Sequence, residues 1–186
     1  MTLYKNKYRI ESARLPGRDY SLLGYYFITT NVRDRLELLG VIKNGKMLKN
    51  EYGDIVQHCW DDLPNHYPNM KCDSFVVMPN HIHCIIRLIY QGEKSDGVEN
   101  GQVETGLRPV STDTSHITKP ASISEIMRAL KSFSARQINT LQDSPGIPIW
   151  QPRFFDRILY GKRELLATRK YIEDNPLNWE IKNDQL

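Results

Sequence analysis

The sequence predicts an α+β domain in which helices cover one face of a mainly antiparallel sheet. Three observations carry that expectation. Residues 74–89 alternate, so that Ile82, Cys84, Ile86 and Leu88 share one face of a strand and His81, His83, Ile85 and Arg87 share the other. Two segments, 51–63 and the stretch after Ser122, carry apolar residues at helical spacing. The strands are interleaved with helices too sparsely for regular βαβ repeats. A chain of 186 residues suits one domain, 1–186, with a core of its own.

Leu22–Val32 (LLGYYFITTNV) is dense in aromatic and β-branched residues and reads as a strand. Asn44-Gly45, inside residues 38–48, is the two-residue signal for a tight hairpin. Tyr52, Ile55, Val56, Cys59 and Leu63 mark an amphipathic helix that Pro64 is expected to stop. Segment 74–89 follows as one strand. Residues 91–118 hold four glycines and five acidic residues with few bulky apolar ones, which describes a disordered insertion. Ser122 and Glu125 form a capping-box pattern at the start of a helix whose apolar stripe is Ile123, Ile126, Met127, Leu130 and Phe133. Arg128, Lys131 and Arg136 give that helix a basic edge. Residues 145–152 read as a turn-rich connection, 153–160 as a last strand and 162–174 as a last helix.

Hydrophobic residues make up 40% of the chain and charged residues 25%, ordinary values for a soluble protein. The sequence shows neither a membrane-spanning run nor a signal-peptide core, so a cytoplasmic protein with no membrane partner is expected. Cys59, Cys72 and Cys84 form no C-x-x-C pair and are expected to be reduced. The net charge of +3 hides an uneven distribution: residues 119–170 carry ten Lys/Arg against four Asp/Glu. A polyanionic partner is consistent with that density.

His81 and His83, two apart on a strand, project from the same side at a spacing that can chelate one metal ion. Such a pair alone also occurs on any half-exposed strand, but here it stands in the frame Met78-Pro79-Asn80-His81-Ile82-His83. The segment VVMPNHIHCIIRL resembles the His-hydrophobic-His signature of the HUH superfamily, specifically its single-tyrosine transposases, which include the REP-associated tyrosine transposases. WQPRFFDRIL followed by RKYIEDNP is similar to the closing block of that family, and the two motifs occur in the expected order. The likeness spans roughly residues 25–179 apart from the insertion.

The resemblance implies a ferredoxin-like or RRM-like antiparallel sheet and a C-terminal helix carrying a nucleophilic tyrosine, Tyr171. It implies a divalent metal, Mg²⁺ or Mn²⁺, held by His81 and His83 with Asn175 as third ligand. Asn175 precedes Pro176, so a helix-terminating role stands beside the ligand role. On a helix Tyr171 and Asn175 share a side, while Leu165 and Ile172 mark a different stripe, facing the core. Ala167 and Thr168 leave room for a substrate strand. The implied activity is nicking and rejoining of single-stranded or hairpin DNA through a covalent 5′-phosphotyrosine, by a monomer or homodimer. Arg128, Lys131, Arg153 and Arg157 are candidate phosphate contacts, and Trp150, Phe154 and Phe155 candidate stacking surfaces. A non-catalytic nucleic-acid-binding protein and a metal hydrolase using an activated water are the rival classes. His58, His66 and His116 lack a partner at ligand spacing.

Overall fold

The chain is described from a computed structural model, in which residues 22–90 and 120–183 are placed together with two short paired strands, β1 (Leu3–Tyr4) and β2 (Lys7–Tyr8). The expected insertion at 91–118 lies outside the described residues, as does His116. The body of the fold runs β3 (Gly24–Asn31), β4 (Gly40–Lys43), β5 (Lys46–Lys49), α1 (Glu51–His66), β6 (Met70–Met78), β7 (His81–Leu88), α2 (Ile123–Leu141), β8 (Phe155–Leu159), α3 (Gly161–Glu173) and α4 (Asn175–Asn183).

A four-stranded sheet in the order β6-β7-β3-β8 is antiparallel throughout. With α1 after β3 and α2 after β7, the connectivity is β-α-β-β-α-β, the ferredoxin-like arrangement. Strand alternation divides the side chains between two cores. Tyr26, Ile28, Ile82, Cys84 and Ile86 are buried beneath α1 and α2, with Val56, Leu63, Ile126 and Leu130 packed on them. On the opposite face Phe27, Ile85 and Leu159 form a smaller cluster with Leu165 and Ile172 of α3. The predicted layer of helices is therefore α1 and α2, and the C-terminal helix crosses the other side.

Local chemistry explains most boundaries. Asn50 caps α1 by accepting from the Tyr52 and Gly53 amides at 3.1 and 3.0 Å. Ser122 and Glu125 close the predicted capping box on α2. Asn44 and Gly45, with φ of 55° and 69°, turn the β4–β5 hairpin as the dipeptide predicts.

Four expectations are corrected. Pro64 does not stop α1, which continues to His66. Proline removes the amide that would have reached the Trp60 carbonyl, and the Cys72 thiol, 3.7 Å away, donates to that carbonyl instead. Segment 74–89 is not one strand but β6 and β7, folded back at Pro79-Asn80. Phe133 leaves the apolar stripe of α2 and is 40% exposed, because the buried face continues through Ser134 and Ile138. The last helix is followed by a further one, since Pro176 falls in the first turn of α4, where its missing amide costs no helical bond. Asp174 is the C-cap of α3, so Asn175 opens α4 rather than ending the last helix.

Candidate active site

Cross-strand register assembles the centre. On β7, His83 lies opposite Thr29 and His81 opposite Asn31 of β3. Both imidazoles project on the α3 side of the sheet, as the alternation predicts. Their Nε2 atoms are 3.1 Å apart. The Thr29 hydroxyl sits 2.7 Å from His83 Nδ1, and the Asn80 side-chain oxygen 2.7 Å from His81 Nδ1. An amide oxygen only accepts, so His81 carries its proton on Nδ1 and turns the Nε2 lone pair toward His83. Burial pushes the His81 pKa down to about 4, aided by the positive charge of Arg35. Burial, and then His81 itself, pushes His83 down to about 3. Both rings are neutral near pH 7, the state in which imidazole binds metal.

Tyr171 reaches this pair from α3. Leu165 and Ile172 enter the small cluster, which sets the rotation of the helix and leaves the adjacent Tyr171 48% exposed. The Tyr171 hydroxyl lies 3.4 Å from His83 Nε2. Phe27 forms the shared wall: its ring stacks on His83 at 5.4 Å between centroids and meets Tyr171 edge-on at 6.0 Å. Arg169 holds α3 to the sheet by pairing with Asp73 at 2.8 and 2.5 Å, where β6 is bulged. Farther on, α4 brings the Trp179 ring to 5.5 Å from His81.

Two nitrogens each about 2.1 Å from one cation lie about 3 Å apart when their bonds to it are near right angles, the angle an octahedral ion requires. The 3.1 Å separation and the neutral rings fit that demand. Among the described residues no group of three His, Cys, Asp or Glu converges. A cation held here would have two imidazoles, with amide or water for its other donors, a set suited to a loosely held divalent ion rather than a closed zinc site. Asn175 is buried at the start of α4, so it does not share one helix with Tyr171 as the sequence predicts, because α3 closes at its C-cap Asp174 between them.

The four expected basic contacts do not form one patch. Arg157 stands on β8 opposite Phe27, on the histidine side, and contacts Glu164 at 3.6 Å and Thr168 at 3.4 Å. Thr168 is thus a buried packing residue rather than open space beside Tyr171, while Ala167 is exposed. Arg128 and Lys131 line a groove beside α2, on the other layer, and Arg153 is exposed in the connection between them. Trp150 is a core residue whose indole donates to Ser134 at 2.9 Å, and Phe154 packs against the same core. Phe155 is 48% exposed opposite Thr29, in the same cross-strand row as His83. His66 pairs with Asp62 on the far surface of α1, and His58 lines the groove beside it.

Sequence reasoning missed Phe27, Thr29, Asn80 and Arg35. Asn80 had a visible signal in its adjacency to His81. Arg35 is carried by a loop whose ends are pinned to the Pro79-Asn80 turn, through Val32 N–H to Asn80 O at 2.8 Å and Leu39 N–H to Pro79 O at 3.0 Å. Asp34 and Arg35 adopt left-handed φ of 54° and 55° there, and the Arg35 charge acts on His81.

The fold and site thus define a ferredoxin-like domain with paired histidines on a central strand faced by a tyrosine from a C-terminal helix. No protein-family model matches the chain. An uncharacterized protein of Haemophilus influenzae is 31% identical over 175 residues, 94% of this chain and 91% of that protein. The chain belongs to one family with that protein. Among solved structures, a REP-associated tyrosine transposase bound to a REP hairpin shares the fold, with a TM-score of 0.54 and 20% identity over 89% of this chain and 74% of its own. A transposase candidate from Deinococcus radiodurans gives a TM-score of 0.45 and 17% identity over 87% of this chain and 97% of its own, too low to carry weight. Among the described residues no helix is long and apolar enough to cross a membrane.

Proposed function

We propose that this protein is a transposase-like enzyme that nicks and rejoins single-stranded DNA, beside or within a hairpin, through Tyr171. The observation that carries the reading is the half-exposed Tyr171 hydroxyl 3.4 Å from His83 Nε2, the nitrogen that faces His81. The fold shared with a transposase bound to hairpin DNA supports it.

His81 and His83 would hold a divalent cation, Mg²⁺ or Mn²⁺, with Asn175 as a third donor. Such an ion withdraws charge from a non-bridging phosphate oxygen and so lowers the electrostatic cost of bringing an oxygen nucleophile to phosphorus. The Tyr171 oxygen attacks phosphorus, forming a phosphotyrosine bond as the bond to the 3′ oxygen breaks. The leaving oxygen takes up a proton and becomes a 3′-hydroxyl. His83 Nε2 would be taken up by the cation and so would not serve as the base for the phenolic proton. The open side of Tyr171 gives that proton to water. Phe27 and the Leu165–Ile172 stripe keep the phenol aimed at the histidines, while Arg157 and Phe155 offer a cation and an aromatic surface on the same face. Reversal by a second 3′-hydroxyl rejoins strands without a nucleotide cofactor.

The test is incubation of wild type and Tyr171→Phe with labelled DNA hairpins and Mn²⁺, followed by a denaturing gel. A covalent protein–DNA band in wild type alone is expected. Cleavage that persists in Tyr171→Phe would replace the phenol with a water nucleophile and overturn the reading.

A further inference from the structure

A groove of about 480 Å³ lies between α2 and residues 148–154, on the layer opposite Tyr171. Its size is that of a small-ligand site. Lys131 is half-buried in it and donates to the Gln151 carbonyl. An ammonium has three protons to give, and among the described residues Lys131 meets no carboxylate. Burial pushes its pKa down to about 8. Arg128, one helical turn earlier, is exposed on the same wall and likewise has no acidic partner among the described residues. The only acidic side chain on α2, Glu125, is engaged with Ser122 in the capping box. Opposite these cations the wall is apolar, formed by Pro148, Pro152 and Phe154. Paired cations facing a flat apolar wall match a nucleotide, whose phosphate and base are separated in the same way.

The groove is also joined to the histidine centre through one residue. Gln151 accepts from Lys131 with its carbonyl, donates its amide to the Asn31 carbonyl at 2.9 Å and accepts from the Asn31 side chain at 3.3 Å. Asn31 is the cross-strand partner of His81. A single strand passing Tyr171 can therefore turn around the end of the sheet into the groove.

We propose that this groove is a second subsite for the same single-stranded DNA, with backbone phosphate on Lys131 and Arg128 and a base against Pro152 and Phe154. The proposal rests on the DNA reading above. Its test is fluorescence anisotropy of fluorescein-labelled twelve-residue oligothymidine, without metal, from 50 to 300 mM salt. For the full-length Lys131→Gln/Arg128→Gln variant the expected result is about tenfold weaker binding near 100 mM salt. The slope of log affinity against log salt should also fall by about 0.7 for each phosphate released. Lys131→Arg, which keeps the charge, should restore slope and affinity. An unchanged slope in the double variant overturns the proposal, and so does a Lys131→Arg protein that binds as weakly as the double variant, since that traces the loss to packing. Should the groove variants bind normally while wild type still forms the Tyr171 adduct, the groove fails and the nicking reading stands. Should binding follow the groove while no hairpin yields an adduct, the groove stands and the nicking reading fails.

Discussion

Removing the carboxylate of Glu180 should release α4 while leaving the sheet intact. Glu180 accepts the Asn44 amide at 2.8 Å and the Gly45 amide at 2.5 Å, so one side chain closes both donors at the tip of the β4–β5 hairpin. Hydrogen bonds to a charged group are worth about 1.5–3 kcal/mol each. The bond to Asn44 is exposed and water competes for it, which leaves about 2 kcal/mol for the pair. The other ties of α4 are few: Asn175 and Pro176 are buried at its start, the half-buried Trp179 ring meets His81, and Leu177 and Ile181 are half exposed. A loss of about 2 kcal/mol lowers the docking equilibrium about thirtyfold. In Glu180→Ala, hydrogen exchange read by mass spectrometry should show the amides of 175–183 exchanging faster by about that factor, with α1 and α2 unchanged. Unaltered protection of α4 would refute the reasoning. Equal loss of protection across the sheet would also refute it, since the carboxylate would then support the whole domain rather than one helix.

Two further predictions concern the histidines. Thr29→Val keeps the shape of the side chain but takes the hydroxyl from His83 Nδ1, so affinity for Mn²⁺ measured by calorimetry should fall about 10–100-fold, with Thr29→Ser near wild type. The pKa values of His81 and His83 are about 4 and about 3 in the folded protein, below the usual 6.5, so the unfolded chain takes up their protons first as pH falls. Stability from keeping them neutral is complete above pH 6.5 and is lost as pH drops toward 4, at about 1.4 kcal/mol per pH unit for each ring. Thermal melts in metal-free buffer should therefore show a steeper decline from pH 7 to 5 for wild type than for His81→Gln/His83→Gln, and parallel declines would refute the assignment.

How much of this was legible in the sequence follows from the range of the interactions. Alternation in residues 81–88 placed both histidines on the right face, because period 2 is a local property of a strand. The capping box of Ser122 and Glu125 and the Asn44-Gly45 turn were equally local. Leu165 and Ile172 were correctly assigned to the packed stripe of α3, which left Tyr171 outside it. What escaped depends on partners far away in the chain. Thr29 and Phe27 become site residues only through the register of β3 with β7, and nothing within β3 announces that register. Segment 74–89 misled because both its halves have strand composition, and the fold-back at Pro79-Asn80 is set by pairing between them. Pro64 misled because a thiol from β6 occupies the carbonyl it orphans.

The same division by range separates the two halves of the site physically. His81 and His83 sit on a strand paired on both sides, and Thr29 and Asn80 hold their Nδ1 atoms, so their geometry changes only if the sheet does. Tyr171 belongs to a helix that buries Leu165, Thr168 and Ile172 and is otherwise tied by the Arg169–Asp73 pair and by the docking of α4. Tyr171, the proposed nucleophile, is therefore the part with fewer constraints. On the proposed reading a strand of DNA entering between α3 and the sheet would displace only those few ties, whereas His81 and His83 stay where the register has put them. Substitutions along α3 should accordingly alter the attack of Tyr171 without altering metal affinity, whereas substitutions in β3 and β7, and at Asn175 in α4, should alter both.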